Sequence, residues 1–356
     1  MLCRLLWWFV TGEGSRGNRM AFENIGVQTE LLNKGINPQF HLQYGADFIF
    51  TGMIYEMIQW NQMGFLKLPS IIQGGGYGPY FLPDGKIERG FENVTKIPNS
   101  IVIVLDPNYY DEMKKSGLPF DYESIYLVPN GLSMALTKFP MFPQKPKQSD
   151  EFTVLNPSGN FWIKHPEKFI EATQMVYEQE PKIKFQFPIK TMHSYNAPIK
   201  WLQYENVELM PIVSQPQLYM MYQKCDLVAV YSEAEIFPTH FMEALWFGKP
   251  LVHNHPGMLQ SVPKERVNRM IDNFGLNIKD FDRKWRKYYL KGNHFKYVKS
   301  PREFADAILE LYNDKDKRDD LAKKGNSWCS SWMSMEDKAR LLVTMLKNKD
   351  LVKGGD

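Results

Sequence analysis

The chain has 356 residues, with 43 lysines and arginines against 40 aspartates and glutamates, so its formal net charge is +3 at pH 7. This length suits two domains, and a composition that is 44% hydrophobic and 23% charged excludes collagen-like and wholly disordered chains. No apolar run reaches the roughly 18 residues that span a bilayer, and 3 widely spaced cysteines favour a reducing compartment over a disulfide scaffold.

Short apolar runs alternate with predicted helices in the N-terminal part of the chain. We expect strands at residues 5–10, 48–50, 70–72 and 101–105. The first of these runs is too short for a signal peptide and is better interpreted as a strand. Buried strands separated by helices predict a parallel sheet. The prolines at 139–147 predict an extended linker, so the first domain is expected to span residues 1–145.

The same alternation restarts after the linker. We expect strands at 152–155, 184–187 and 227–231, and helices beginning at Pro166 and surrounding Leu218, Phe304 and Ala339. The second domain is expected at 146–330, and residues 331–356 form a helix that packs back towards the first domain. This α/β pattern predicts two Rossmann-like domains whose parallel sheets face an interdomain cleft, because open α/β sheets bind ligands at the carboxyl ends of their strands.

A glycine-rich segment follows the first predicted strand. Residues 12–17 (GEGSRG) fit the pattern G-x-G-x-x-G, so backbone N–H groups near Gly14 and Ser15 are expected to approach a diphosphate. An oxidoreductase that binds NAD(P) through Gly12–Gly17 is one functional alternative. It is disfavoured because the expected second strand, 39–43, ends without an acidic residue and because Glu13 would repel a pyrophosphate.

The richest segment, 232–250, follows the expected strand at 227–231. Glu235 lies in the predicted loop and Glu243 on the following helix, which Pro238 begins and Gly248 ends. Two such carboxylates can hold separate sets of ligand hydroxyls, while N–H groups near the helix start face an anion. A helix-initiating turn with a solvated glutamate fits the spacing equally well.

The pattern Glu235-x7-Glu243, followed by Gly248-Lys249-Pro250, resembles the signature of the retaining GT-B glycosyltransferases called group 1. Residues 126–132 (YLVPNGL), 159–164 (GNFWIK) and 206–209 (NVEL) resemble other segments of that family in the same order. The resemblance implies a GT-B architecture and transfer of a hexose-type sugar from a UDP- or GDP-sugar to an acceptor hydroxyl. It also implies retention of configuration and no further cofactor.

The resemblance implies roles for individual residues. Glu243 would accept hydrogen bonds from the nucleotide ribose, whereas Glu235, near the transferred sugar, and Lys164, at the diphosphate, would be catalytic. The remaining donor contacts would come from Gly14, Ser15, Gly159, Asn160, Ile236, Phe237, Pro238 and Thr239. Because Asn160 stands where the family usually has an arginine, Lys164 would act alone or with Arg16 or Lys249.

Three departures leave a second alternative open, an inactive GT-B module that binds a sugar or a membrane surface. Asn160 replaces an arginine, Ile236 replaces a glycine and Gln260 replaces a carboxylate. On the acceptor side, backbone amides at Gly75, Gly76 and Tyr77 stand where many relatives carry a histidine. The acceptor itself is left open as a glycan, a lipid-linked sugar or a protein.

Metal and surface partners are less clearly marked. The pairs Asp280/Asp282 and Asp314/Asp316 match D-x-D but lie in charged segments typical of solvated turns, so no metal site is expected. A basic and aromatic island runs from Arg283 to Lys291 and fits either a solvated face or peripheral contact with a membrane. The small net charge argues against sequence-specific nucleic-acid binding. We expect a protein of the cytoplasm, either free there or in peripheral contact with the cytoplasmic face of a membrane.

Overall fold

The structure is a computed structural model. It describes residues 4–8, 13–31, 46–52, 54–74, 90–132, 136, 151–158, 166–188, 205–211, 213–232, 238–254, 264–276 and 294–352. The chain divides into two compact units. Unit 1 comprises Met1–Lys138, Gln260–Tyr289 and Met333–Asp356, and unit 2 comprises Phe139–Leu259 and Leu290–Trp332.

Strands and helices alternate along the described chain. The strands are β1 (Arg4–Trp8), β2 (Gln28–Leu31), β3 (Phe48–Thr51), β4 (Ser70–Gly74), β5 (Ser100–Val104), β6 (Ile125–Leu127), β7 (Thr153–Leu155), β8 (Lys184–Pro188), β9 (Val207–Met210), β10 (Leu227–Val230), β11 (Leu251–His253) and β12 (Lys296–Tyr297). The helices are α1 (Glu13–Asn24), α2 (Ile54–Gln62), α3 (Pro107–Lys115), α4 (Pro166–Tyr177), α5 (Gln215–Lys224), α6 (Thr239–Trp246), α7 (Lys264–Phe274), α8 (Pro301–Asn313), α9 (Lys315–Ser330) and α10 (Met335–Asn348).

Unit 1 is built on a six-stranded parallel sheet in the order β2-β1-β3-β4-β5-β6. The central strands are buried on both faces, as expected for a parallel sheet covered by helices. Ile71 on β4 pairs in register with Phe50 on β3 and Ile101 on β5. Helix α10 packs against α1 and α7, so the last helix of the chain belongs to this unit.

Unit 2 has a second six-stranded parallel sheet, in the order β12-β11-β10-β7-β8-β9. Its core is rich in phenylalanine, and Phe169 on α4 lies with its ring centroid 5.7 Å from that of Phe187 and 5.9 Å from that of Phe304 on α8. The two parallel sheets confirm the predicted α/β class. None of the described helices is both long enough and apolar enough to cross a bilayer.

The glycine-rich segment after β1 differs from the expected loop. Helix α1 begins at Glu13, so Gly14, Ser15 and the residues up to Gly17 have helical backbone. Gly14 and Ser15 lie in the first turn of α1. The first four N–H groups of a helix have no partner within the helix, so the backbone N–H groups of these two residues are still available as donors.

The second strand of unit 1 also differs from the prediction. We expected the second strand at 39–43, but it is β2, which ends at Leu31, and 39–43 lies outside the described residues. The helix stops at Asn24 because Gly26 adopts a left-handed φ of 85°. Strand β2 contains Glu30, so the expected lack of an acidic residue no longer counts against a dinucleotide site.

Candidate functional site

The carboxyl ends of β7, β10 and β11 meet at one edge of the sheet of unit 2, because these three strands are neighbours and parallel. Polar residues follow each strand. The backbone N–H of Ser232, after β10, donates to Asn254 Oδ1, after β11, at 2.8 Å. After β7, Asn156 Oδ1 accepts from the N–H of Ser158 at 3.0 Å and from its hydroxyl at 2.7 Å. The edge is thus lined with small, ordered polar groups.

One of these groups lacks a hydrogen-bond partner among the described residues. The hydroxyl of Ser232 is buried, and none of the residues in the described ranges donates to it or accepts from it. A buried hydroxyl without a partner carries a desolvation cost of about 1–3 kcal/mol. A ligand that hydrogen-bonds here would remove that cost, so Ser232 joins the site although sequence reasoning had not selected it.

Helix α6 follows this edge and carries Glu243. The helix begins after Pro238, whose carbonyl accepts from the N–H of Phe241 at 3.2 Å, and ends where Gly248 takes a φ of 62°. Pro238 is buried and Thr239 is exposed at the helix start. The expected helix, with Pro238 at its beginning and Gly248 at its end, is confirmed.

The carboxylate of Glu243 is largely buried and is held by two donors from α5. Its Oε1 accepts from Gln215 Nε2 at 2.8 Å, and its Oε2 accepts from the hydroxyl of Tyr222 at 2.9 Å. Complete burial, and secondarily the charge of Glu243, raise the pKa of Tyr222 well above its usual range, so the phenol keeps its proton. This arrangement fixes the direction of the carboxylate and excludes a freely solvated glutamate.

Two buried histidines connect α6 with the end of β11. His240 and His253 stack with an interplanar angle of 4°, and their Nε2 atoms lie 3.2 Å apart. One imidazole donates and the other accepts, so their tautomers are coupled. The sequence does not identify His240 and His253 as partners, because the two residues meet through the packing of α6 on β11.

Lys249 has a structural role. Its ammonium is buried and donates to the carbonyls of Gln223 and Cys225 at 2.9 Å each, at the end of α5. The last carbonyls of a helix lack partners within the helix and attract cations. Lys249 is therefore already engaged, which corrects the expectation that it assists Lys164 at a diphosphate.

The described residues cover part of the predicted site. Glu243, Pro238 and Thr239 lie together on and beside α6. Gly14 and Ser15 lie in α1 of unit 1. The remaining predicted residues of the donor and acceptor sides lie outside the described residues, namely Lys164, Glu235, Gly159, Asn160, Ile236, Phe237, Gly75, Gly76 and Tyr77. The basic island from Arg283 to Lys291 also lies outside them.

Unit 1 holds a buried polar cluster that the sequence had not indicated. Lys338 on α10 is fully buried, and its ammonium donates to Gln73 Oε1 at 2.7 Å and to Asn130 Oδ1 at 2.8 Å. Burial lowers the pKa of Lys338 to about 7. Gln73 is on β4 and Asn130 follows β6, so the cluster lies at the carboxyl edge of this sheet. Lys338 precedes Leu342 by one helical turn and so lies on the apolar face of α10. A lysine at such a position is the sequence feature that could have indicated a buried polar cluster.

The aspartate pairs do not form a metal cluster where the structure describes them. Asp314 is the N-cap of α9, with Oδ1 accepting from the N–H of Lys317 at 2.9 Å, and Asp280 and Asp282 lie outside the described residues. Within the described ranges, no group of three or more His, Cys, Asp or Glu residues is arranged to hold a metal ion.

Comparison with known proteins gives a family match. The model of the family described as glycosyl transferases group 1 matches residues 138–328, which is more than half of the chain. No curated protein matches the chain.

Solved structures resemble the chain along almost its full length. Sucrose-phosphate synthase from Thermosynechococcus elongatus has a TM-score of 0.71 at 14% identity, covering 98% of this chain and 99% of its own. HepE from Anabaena, solved with UDP and glucose, has a TM-score of 0.65 at 14% identity, with 96% and 99% covered. TarM from S. aureus, solved as a G117R mutant with fondaparinux, α-GlcNAc-glycerol and UDP, has a TM-score of 0.61 at 16% identity, with 86% and 58% covered. These similarities show the GT-B fold.

Proposed function

Since the chain belongs to the glycosyl transferases group 1 family and is therefore a glycosyltransferase, we propose that it transfers a hexose from a nucleoside-diphosphate sugar to an acceptor hydroxyl with retention of configuration. The observation that carries this proposal is the buried carboxylate of Glu243, which two donors hold beside the carboxyl edge of the sheet of unit 2. HepE, a protein of the same fold, was solved with UDP and glucose, which supports a nucleotide sugar as the donor.

Unit 2 is the proposed donor unit. Glu243 accepts hydrogen bonds from the ribose hydroxyls, and the unpartnered hydroxyl of Ser232 donates to a diphosphate oxygen. By family resemblance, Lys164 neutralises the charge that develops on the departing diphosphate, and Glu235 contacts the sugar. Preorganised cations and N–H groups stabilise such charge without a metal ion, so no further cofactor is required.

The proposed reaction exchanges one bond for another at the anomeric carbon. The bond from that carbon to the diphosphate oxygen breaks, and the bond to the acceptor oxygen forms on the same face of the sugar. The acceptor proton passes to the departing phosphate oxygen, so no protein base is needed.

Unit 1 is the proposed acceptor unit, with the segment of Gly75, Gly76 and Tyr77 continuing from the end of β4. The proposed acceptor class is a glycan, a lipid-linked sugar or a protein hydroxyl, and TarM, a protein of the same fold, was solved with α-GlcNAc-glycerol. We propose a cytoplasmic location, because 3 widely spaced cysteines favour a reducing compartment. The island from Arg283 to Lys291 is its proposed contact with an anionic membrane surface.

A donor panel tests this function. The protein is incubated with UDP-, GDP- and ADP-hexoses, release of the nucleoside diphosphate is measured, and NMR gives the anomeric configuration of the sugar product. We expect turnover of one nucleotide class and a product with the donor's configuration. An inverted product contradicts retention, whereas no turnover of any donor supports the inactive binding module. NADH, which we expect to leave the melting temperature unchanged, tests the oxidoreductase alternative.

A further inference from the structure

Gln215 reaches from the first turn of α5 to the carboxylate of Glu243 on α6. Its Nε2 donates to Glu243 Oε1 at 2.8 Å. The start of α5 is capped without this side chain, because Ser214 and Gln217 form a capping box there. The side chain of Gln215 is therefore available for a role at Glu243.

The two oxygens of Glu243 have different surroundings. Oε2 faces Tyr222, which is fully buried, while Oε1 faces Gln215, which is partly exposed to solvent. A carboxylate oxygen can accept more than one hydrogen bond, so a ligand hydroxyl can bind at Oε1 beside Gln215. A ligand that approaches from solvent therefore meets Glu243 on the side of Gln215.

The amide of Gln215 has unused capacity on that same side. Within the described part of the chain, its side chain makes one hydrogen bond, the one to Glu243, and its carbonyl oxygen is a remaining acceptor. An amide oxygen beside a carboxylate oxygen presents two acceptors close together. Two neighbouring hydroxyl groups, as in the vicinal diol of ribose, supply the matching pair of donors.

We propose that Gln215 is a specificity-determining residue of the donor site, an inference that rests on the proposed function. Its amide and the carboxylate of Glu243 together bind the 2′- and 3′-hydroxyls of the nucleotide ribose. The enzyme thereby selects ribonucleotides over 2′-deoxyribonucleotides, because a site built to hydrogen-bond a hydroxyl disfavours the analogue that lacks it.

The test compares UDP with 2′-deoxy-UDP by calorimetric titration of the full chain, with the corresponding guanosine pair if GDP is the nucleotide that binds. Gln215→Met removes the amide and keeps the length of the side chain, and Gln223→Met is the matched control on the same helix. The two ligands are compared on one protein, so the ratio of their Kd values does not depend on how stable that variant is.

We expect wild-type protein to bind UDP at least tenfold more tightly than 2′-deoxy-UDP. Gln215→Met is expected to reduce that ratio by about 3- to 10-fold, the effect of one hydrogen bond, while Gln223→Met leaves it unchanged. A wild-type ratio in Gln215→Met overturns the role of Gln215 and leaves donor binding intact. Failure of the wild type to bind any nucleoside diphosphate overturns the proposed function itself.

Discussion

The ammonium of Lys338 lies 2.7 Å from the amide oxygen of Gln73, a residue 265 positions earlier in the chain. The same ammonium reaches Asn130, so one side chain on α10 joins the carboxyl ends of β4 and β6, which β5 separates in the sheet. Helix α10 is in this way fixed to the carboxyl edge of the sheet of unit 1.

Replacement of Lys338 by methionine changes how stability depends on pH. Burial lowers the pKa of Lys338 to about 7, below its ordinary value of 10.5, so between these values the unfolded chain binds a proton that the folded chain lacks. The free energy of unfolding of the wild type therefore gains up to about 1.4 kcal/mol per pH unit from this group as pH rises from 7.

Urea denaturation at pH 7, 8 and 9 measures this slope. We expect Lys338→Met to lack the contribution and Lys347→Met, a partly exposed lysine on the same helix, to retain it. Identical slopes in the wild type and Lys338→Met would show that Lys338 is not responsible for it.

Gly131 permits close contact between the turn after β6 and the start of α10. A Cβ at Gly131 would lie 2.3 Å from the backbone carbon and oxygen of Ser334. The N–H of Leu132 donates to the carbonyl of Met333 at 2.8 Å, and that of Met335 donates to the carbonyl of Leu132 at 3.0 Å, so neither segment can shift freely.

We therefore expect Gly131→Ala to lower the free energy of unfolding by roughly 2–3 kcal/mol. Gly117→Ala is the control, because Gly117 has a φ of 70° but open space around it, and its loss should be about 1 kcal/mol of backbone strain. Chemical denaturation measures the free energy of unfolding of both variants. Equal losses of that free energy would contradict the steric explanation.

Tyr222 and Glu243 are expected to be energetically coupled. The Tyr222 hydroxyl donates to Glu243 Oε2 at 2.9 Å inside unit 2, so Tyr222→Phe should cost about 1–3 kcal/mol of stability. A double-mutant cycle with Glu243→Gln measures the coupling, which we expect to reach about 1 kcal/mol. Strictly additive losses would mean that this hydrogen bond does not hold the carboxylate.

Replacement of Lys249, a structural lysine, should affect the protein differently from replacement of Lys164, a proposed ligand-binding lysine. Lys249→Met leaves the carbonyls of Gln223 and Cys225 without their donor, and we expect a stability loss of roughly 1–3 kcal/mol. Its Kd for the donor nucleotide should stay within about twofold of the wild type, whereas Lys164→Met should weaken binding about tenfold or more. A tenfold loss in Lys249→Met would assign that lysine to the ligand instead.

Local patterns predicted much of the fold. The helical spacing of the apolar residues Phe304, Ala307, Ile308 and Leu311 predicted α8. Uninterrupted apolar runs predicted β5 and β10. Strand β2 was missed because its sequence, Gln-Thr-Glu-Leu, lacks an apolar run, and its pairing with β1 is what makes it a strand.

The site was predicted less completely, for a related reason. Glu243 could be selected because its spacing from Glu235 lies within one continuous segment. Its partners Gln215 and Tyr222 could not, since they depend on how α5 packs against α6. Lys338 and Gln73 are an extreme case, because no local pattern links residues so far apart in the chain.

The proposed donor site depends above all on Glu243, which binds the ribose of a nucleoside-diphosphate donor. Calorimetric titration of UDP and GDP into the wild type, Glu243→Gln and the surface control Glu310→Gln tests it most directly. We predict that one nucleotide binds the wild type and Glu310→Gln equally and Glu243→Gln at least tenfold more weakly, because hydrogen bonds to a charged acceptor contribute about 1.5–3 kcal/mol. Equal affinity in all three proteins would contradict the claim.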